Sequence, residues 1–252
     1  MPMNRTLIAI GGGELRLKET LPIDGYICEL AKRRADGKRA VALFVGTASR
    51  DCMPYYNTFH KVYTGVYGLK TDCALTVTVE TDKEKLQGKF DKADVIYVGG
   101  GDTVYMLKKW KETGLDEMIV SAYKRGAILC GLSAGAICWF ENMYTDGYLT
   151  EGVSDNYEIV PALGLIKGSA CPHYDDRSAD FNAALRDAVG ESLWYCIENR
   201  SAIVFENESL IGGISCGGSA YTVKKSGDTT EIKPKCQRNT ENSRFCFILY
   251  EI

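Results

Sequence analysis

The residues with the most evident chemistry are Gly131-Leu132-Ser133-Ala134-Gly135, near the middle of the chain. They follow the apolar run Ala127-Ile128-Leu129-Cys130 and lead into Ala136-Ile137-Cys138-Trp139-Phe140. This order reads as a buried strand, a tight turn and an apolar helix start. A serine on such a turn is pushed clear of the backbone, and its small neighbours let a substrate carbonyl approach. The amide of Ala134 opens the helix that follows, where it can receive a developing oxyanion. Ser133 is therefore a candidate nucleophile, and it requires a base and a group that orients the base.

The chain holds two histidines, His60 and His173. His60 sits in a helical stretch beside the apolar stripe Tyr56, Phe59, Val62, Tyr63 and Val66, which reads as a structural position. His173 follows Cys171-Pro172 and precedes a polar run, Tyr174-Asp175-Asp176-Arg177, ahead of a helix expected over Ala179–Val189. A proline-set turn with polar neighbours suits a working imidazole, so His173 is the candidate base. Two carboxylates compete to orient it. Glu198, in Cys196-Ile197-Glu198-Asn199-Arg200, follows an apolar lead-in at a strand end; Asp155, in Val153-Ser154-Asp155-Asn156, lies between serine and histidine. The serine–acid–histidine order of an α/β-hydrolase-type esterase would select Asp155. Asp175 and Asp176 are so close to His173 that they read as caps of the next helix.

Four apolar segments are expected as buried parallel strands: Thr6–Ile10, Val41–Val45, Val95–Val98 and Ala127–Leu129, each running into glycine or small residues. Helical patterns fall between them at about Leu21–Arg34, Tyr55–Leu69, Val104–Lys111 and Leu115–Arg125. Strand alternating with helix implies an α/β fold, a three-layer, doubly wound and mostly parallel sheet. Ligands of such sheets sit at the carboxyl ends of the strands, where Ser133 and the glycine clusters fall. After about Asn199 the strand-like pieces Ala202–Phe205, Leu210–Ile214, Ala220–Val223, Glu231–Lys233 and Phe245–Tyr250 predict an antiparallel finish. No linker or repeat interrupts the chain, so residues 1–252 are expected to form a single domain.

Composition narrows the field. The 252 residues carry a formal net charge of −3, which gives no reason to expect nucleic acid or an anionic membrane as a partner. Ten cysteines show no pairing pattern, and there is no leader-like start and no apolar run long enough to span a bilayer. A reduced, cytoplasmic protein is expected. Two separated histidines and scattered cysteines make no metal-ligand set, so no metal and no cofactor are expected. Gly11-Gly12-Gly13 and Gly99-Gly100-Gly101 do not extend to a dinucleotide fingerprint, because Arg16 and Val104 stand where its third glycine belongs. A tight structural turn accounts equally well for Gly11–Gly13. Asp102 can point into the site or cap the helix beginning at Thr103-Val104, and capping is favoured.

These pieces together resemble the S51 family of serine peptidases, which includes dipeptidase E and cyanophycinase. The resemblance rests on Ile10-Gly11-Gly12-Gly13-Glu14, Tyr97-Val98-Gly99-Gly100-Gly101-Asp102-Thr103, Gly131-Leu132-Ser133-Ala134-Gly135-Ala136, Pro172-His173-Tyr174 and Ile197-Glu198-Asn199-Arg200-Ser201-Ala202. They are colinear over about residues 6 to 225. The resemblance implies a sheet similar to that of class I glutamine amidotransferases, with serine in place of their cysteine nucleophile. It implies Ser133 as nucleophile, His173 as base, Glu198 as third member, and an oxyanion hole from the amides of Gly101 and Ala134. Gly100, Asp102, Tyr174 and Arg177 become candidate substrate-binding residues. The implied partner is a small peptide, including aspartyl or β-aspartyl peptides, with a homodimer also allowed. The chain departs from dipeptidase E in two places. It has Ser154-Asp155-Asn156-Tyr157 where that branch has an acid soon after the serine, and it lacks the Gly-Glu-Thr-Arg stretch whose arginine recognises an N-terminal aspartate. Arg177 is the nearest substitute. A binding module that has lost catalysis is the non-enzymatic alternative, whose signature would be a missing serine, histidine or acid.

Overall fold

In the first half of the chain strand and helix alternate: Thr6–Ile10 (β1), Leu21–Arg34 (α1), Val41–Val45 (β2), Met53–His60 (α2), Lys70–Ala74 (β3), Lys83–Phe90 (α3), Val95–Val98 (β4), Thr103–Thr113 (α4), Leu115–Lys124 (α5) and Ile128–Leu132 (β5). The computed structural model describes residues 4–79, 82–150, 152, 156–187, 190–227, 229–236 and 246–249. Strands β1, β5, β4, β2 and β3 lie side by side and pair in parallel. The four expected strands are present. β3 is an addition at the sheet edge; its Lys70-Thr71-Asp72 start and partial exposure hide it from an apolar-run search. The helical pattern after Tyr55 also divides, α2 giving way to a wider π-helical turn over Lys61–Val66.

The second half contains Ala134–Ile137 (α6), Phe140–Thr145 (β6), Gly147–Thr150 (α7), Glu158–Pro161 (β7), Ile166–Pro172 (β8), Tyr174–Asp187 (α8), Ser192–Ile197 (β9), Ser201–Glu206 (β10), Ser209–Ser215 (β11), Ala220–Ser226 (β12), Thr229–Cys236 (β13) and Cys246–Leu249 (β14). Strands β10, β11 and β14 extend the first sheet antiparallel from β1, giving the order β14-β11-β10-β1-β5-β4-β2-β3. The expected antiparallel finish is thus only partly in that sheet. β12 and β13 instead join a second sheet of order β13-β12-β9-β8-β6-β7, in which β6, β8 and β9 are parallel.

Alternation along the strands gives the first sheet two apolar faces. Ile8, Ile10, Phe44, Tyr97 and Cys130 pack beneath α1, α2 and the π turn through Ile23, Ile27, Phe59 and Tyr63. On the opposite face, Leu7, Ala9, Leu43, Ile96 and Leu129 share a core with Met106, Trp110 and Ile119, and with Phe140, Ile166, Tyr195 and Ile197 of the second sheet. That shared core fixes the two sheets to each other, with the carboxyl ends of β1, β5, β8 and β9 meeting at one place.

Candidate active site

Ser133 follows β5 at φ 54° and ψ −114°, a conformation that costs a non-glycine residue strain and therefore must be held by its surroundings. Two glycines make the turn feasible. A Cβ on Gly131 would collide with the carbonyl of Gly135, and one on Gly135 with the carbonyl of Val98 in β4. The turn is also pinned from below: Trp139 Nε1 donates to the Gly135 carbonyl at 2.7 Å, and its ring lies 5.6 Å from that of Trp110. Both indoles are fully buried.

The second sheet delivers the partner. His173 follows β8 at φ 50°, another left-handed non-glycine residue. Its Nε2 lies 2.7 Å from Ser133 Oγ. Backbone bonds lock the sheets together at this point, His173 N to the Gly11 carbonyl at 3.1 Å and Arg200 N to the Gly12 carbonyl at 3.0 Å. Gly12 packs directly against the imidazole, because a Cβ there would overlap both His173 and Asn199. Gly11 and Gly12 are thus the seat of the histidine, which is why side chains are absent there.

The residue on the far side of the imidazole is Asn199. Its Oδ1 lies 2.7 Å from His173 Nδ1. Its Nδ2 donates to Asp175 Oδ1 and Oδ2 at 3.2 Å each and to Asp176 Oδ2 at 2.8 Å. Asp175 Oδ1 also accepts from the Asn199 backbone amide at 2.9 Å. With the NH2 group committed to two carboxylates, the Asn199 oxygen must face the ring and accept from Nδ1–H. Nε2 is then the unprotonated nitrogen, free to accept from the Ser133 hydroxyl.

The expectation that Glu198 orients His173 does not match this geometry. The Glu198 carboxylate accepts from the Ser219 backbone amide at 2.8 Å and from the Tyr221 hydroxyl at 3.3 Å, tying β9 to β12. β9 ends at Ile197, and in the turn that follows it is Asn199, not Glu198, whose side chain reaches the histidine. Asp155 lies outside the described residues. Asp175 and Asp176, read from sequence as caps, do sit in the first turn of α8, but they hold Asn199. Asp102 is a cap: its side chain accepts from Tyr105 N at 2.9 Å at the start of α4.

Burial is the main influence on His173 and moves its pKa below the ordinary value; Arg177 acts in the same direction, while the Asn199 hydrogen bond, Asp176 and Asp146 act against it. The imidazole is therefore neutral over more of the physiological range than an exposed histidine. Among the described residues the amides of Gly101 and Ala134 have no acceptor of their own. Gly101 takes φ 140°, where a side chain is strained and a Cβ would strike the Ala48 carbonyl. Gly100 packs against Ser133, its Cβ position lying 3.4 Å from Ser133 Cβ.

Ser133, His173, Asn199, Gly100 and Gly101 line one cleft of about 830 Å³. Arg16 and Arg200 also line it, as do Glu14 and Glu19. Tyr174 and Arg177 do not. Tyr174 is buried with its hydroxyl 3.3 Å from Asn182 Oδ1, and Arg177 pairs with Asp146 at 3.2 Å and lies over the Tyr157 ring. The sequence reading missed Arg16 and Arg200, although Arg200 stands inside a quoted motif. Among the described residues no group of three or more His, Cys, Asp or Glu side chains is arranged to hold a metal. No helix there is long and apolar enough to cross a membrane.

A serine on a strained strand–helix turn, hydrogen-bonded to a histidine from a second sheet, is the arrangement of a hydrolase nucleophile. The model of peptidase family S51 matches residues 7–212, and the chain belongs to that family and is a peptidase. It is 34% identical over 227 residues to an uncharacterized peptidase, YgaJ, of Bacillus subtilis, covering 87% of this chain and 92% of that one. It is 30% identical over 125 residues to peptidase E of Streptomyces coelicolor, about half of each chain (49% and 50%). The crystal structure of a peptidase from an acI-B1 actinobacterium has the same fold, with a TM-score of 0.67 at 18% identity, covering 91% of this chain and 97% of that one.

Proposed function

We propose that this chain is a serine peptidase that cleaves small peptides through an acyl-enzyme on Ser133. The observation that carries the reading is the 2.7 Å approach of His173 Nε2 to Ser133 Oγ at the floor of an open cleft. As Oγ bonds to the peptide carbonyl carbon, its proton passes to His173 Nε2. The carbonyl electrons move onto oxygen, which the amides of Gly101 and Ala134 receive. Collapse of that adduct breaks the C–N bond, and the imidazolium returns its proton to the leaving amine. Water then repeats the sequence against the ester, with His173 again as base, and releases Ser133. Loss of one oxyanion donor typically costs about 3 kcal/mol of barrier.

Two arginines among the carboxylates Glu14, Glu19, Asp175 and Asp176 of the cleft support a substrate that brings a carboxylate of its own to them. These are Arg16 and Arg200, and neither forms an ion pair among the described residues, so a substrate carboxylate can take that place. This supports aspartyl or β-aspartyl peptides, with Arg200 in the role considered for Arg177. The test is mass spectrometry of a mixed panel of Asp-Xaa, β-aspartyl, neutral and longer peptides, incubated with wild type and with Ser133→Ala. Cleavage by wild type alone is expected, with acidic peptides consumed first. Equal cleavage by both proteins would remove Ser133 from the mechanism.

A further inference from the structure

We infer that His173 is positioned by a neutral amide held by two carboxylates: Asp175 and Asp176 fix Asn199, and Asn199 fixes His173. This rests on the reading of Ser133 and His173 given above and deepens it. It replaces the single carboxylate expected at Glu198 with a three-residue support drawn from the start of α8 and the turn after β9.

A lone asparagine beside an imidazole can present either end of its amide. With oxygen toward the ring it selects the Nδ1–H tautomer, which leaves Nε2 able to take the serine proton. With NH2 toward the ring it selects the opposite tautomer, in which Nε2 carries hydrogen and cannot act as base. A carboxylate has no such ambiguity. Here the choice is made one layer further out. Three contacts from Nδ2 to the two aspartates, at 2.8 and 3.2 Å, would be replaced by oxygen–oxygen repulsion if the amide turned over. Asp175 also grips the Asn199 backbone amide at 2.9 Å, so it fixes the residue as well as its amide. A cysteine–histidine–asparagine set in another peptidase class shows that an amide suffices to orient a catalytic imidazole.

The pair does a second job. When His173 is protonated in the transition state the charge must be balanced, and a neutral amide supplies none of its own. The charges that act on the ring are Asp176 and Asp146 on one side of the balance and Arg177 on the other, while Asp175, Glu14, Glu19, Arg16 and Arg200 line the cleft beside it. Asp175 and Asp176 supply negative charge through the polarised Asn199 amide, without a carboxylate touching the ring. Asn199 is thus a positioning residue acting through His173, and the aspartates act through Asn199.

The test is the rate at which a fluorophosphonate probe modifies Ser133, measured to saturation so that affinity and maximal rate separate, on full-length protein. Asn199→Ala is expected to lower the maximal rate about 100-fold, with the half-saturating concentration within about threefold. Glu198→Gln is expected to leave the maximal rate within about threefold of wild type. Asn199→Asp, which sets a third carboxylate against the pair, is expected to be slow. Combining it with Asp175→Asn and Asp176→Asn restores donors opposite the new acceptor and is expected to recover at least tenfold. A merely structural asparagine would show no such reciprocal rescue. Proton–nitrogen spectra of the imidazole give a readout independent of turnover: wild type and Glu198→Gln are expected to show the Nδ1–H tautomer, and Asp175→Ala/Asp176→Ala a mixture. Full-rate modification of Asn199→Ala, or loss in Glu198→Gln instead, would overturn the inference while leaving Ser133 as nucleophile. Failure of wild type to be modified at Ser133 would overturn the reading beneath it, and the inference with it.

Discussion

Gly12→Ala is the most economical perturbation of this site, because it adds one methyl group and removes nothing. Gly12 is buried and does not occupy the left-handed region, so alanine is compatible with its backbone. The cost lies wholly in what the methyl meets. It would sit closer than 3.0 Å to Asn199 Oδ1 and to Cε1 and Nδ1 of the His173 ring. Ordinary contact needs roughly 3.5 Å, so the ring and the amide must withdraw by about 1 Å. Overpacking of this kind costs about 1–3 kcal/mol of stability, a fraction of what a domain this size possesses. A misplacement approaching 1 Å at the base is expected to lower kcat by about 100-fold. The assay is steady-state cleavage of an acidic dipeptide together with thermal unfolding. A folded variant with a modestly lowered Tm, a lost kcat and a nearly unchanged KM is expected. A folded Gly12→Ala with wild-type kcat would refute the argument that Gly12 is the seat of the histidine.

Three further outcomes follow from named groups. Because burial depresses His173, the acidic limb of kcat/KM against pH is expected below the ordinary histidine value of about 6.5, and a limb at or above it would contradict the site's electrostatics. Asp24 is buried against Thr20 and Tyr63, and burial raises its pKa to about 7. Its protonated form is favoured on folding, so its contribution is present at acid pH and fades as pH rises from about 4 toward 7; denaturant midpoints at pH 5 and pH 7 should differ less in Asp24→Asn than in wild type, and equal slopes would refute this. Arg200→Ala is expected to raise KM for acidic peptides by about tenfold with kcat held within about threefold, and an equal change for neutral peptides would remove its recognition role.

How far the sequence discloses this molecule depends on which side of a strand is in question. The buried parallel strands are legible because both faces are covered, so Thr6–Ile10 and Val95–Val98 read as unbroken apolar runs. Ser133 is legible because its turn requires glycine on both sides. His173 is legible because one histidine of two lies in a polar turn. The second sheet is harder to read: Phe140–Thr145 mixes polar and apolar residues, β7 is short and half exposed, and Ser192–Ile197, though an apolar run, carries no local sign of which strands it joins. The residue seen against His173 Nδ1 lies one position from the one expected there. Chemistry favours Glu198, but the turn after β9 sets Asn199 against the imidazole and Glu198 against Tyr221. No local pattern separates the two, because both follow the last residue of β9, Ile197, which pairs with Pro172 beside the histidine. Asp175 and Asp176 elude sequence reading because their partner arrives from more than twenty residues away, across a strand register that no local pattern encodes.

The central claim is that peptide-bond cleavage passes through an ester on Ser133. Rapid acid quenching of the protein with an activated ester of an acidic amino acid, followed by intact mass and fragment mapping, reads that ester directly. A mass increase equal to the acyl group, located on Ser133, formed at the burst rate and absent from Ser133→Ala, is the predicted result. Turnover with no adduct on Ser133, persisting in Ser133→Ala, would contradict the account.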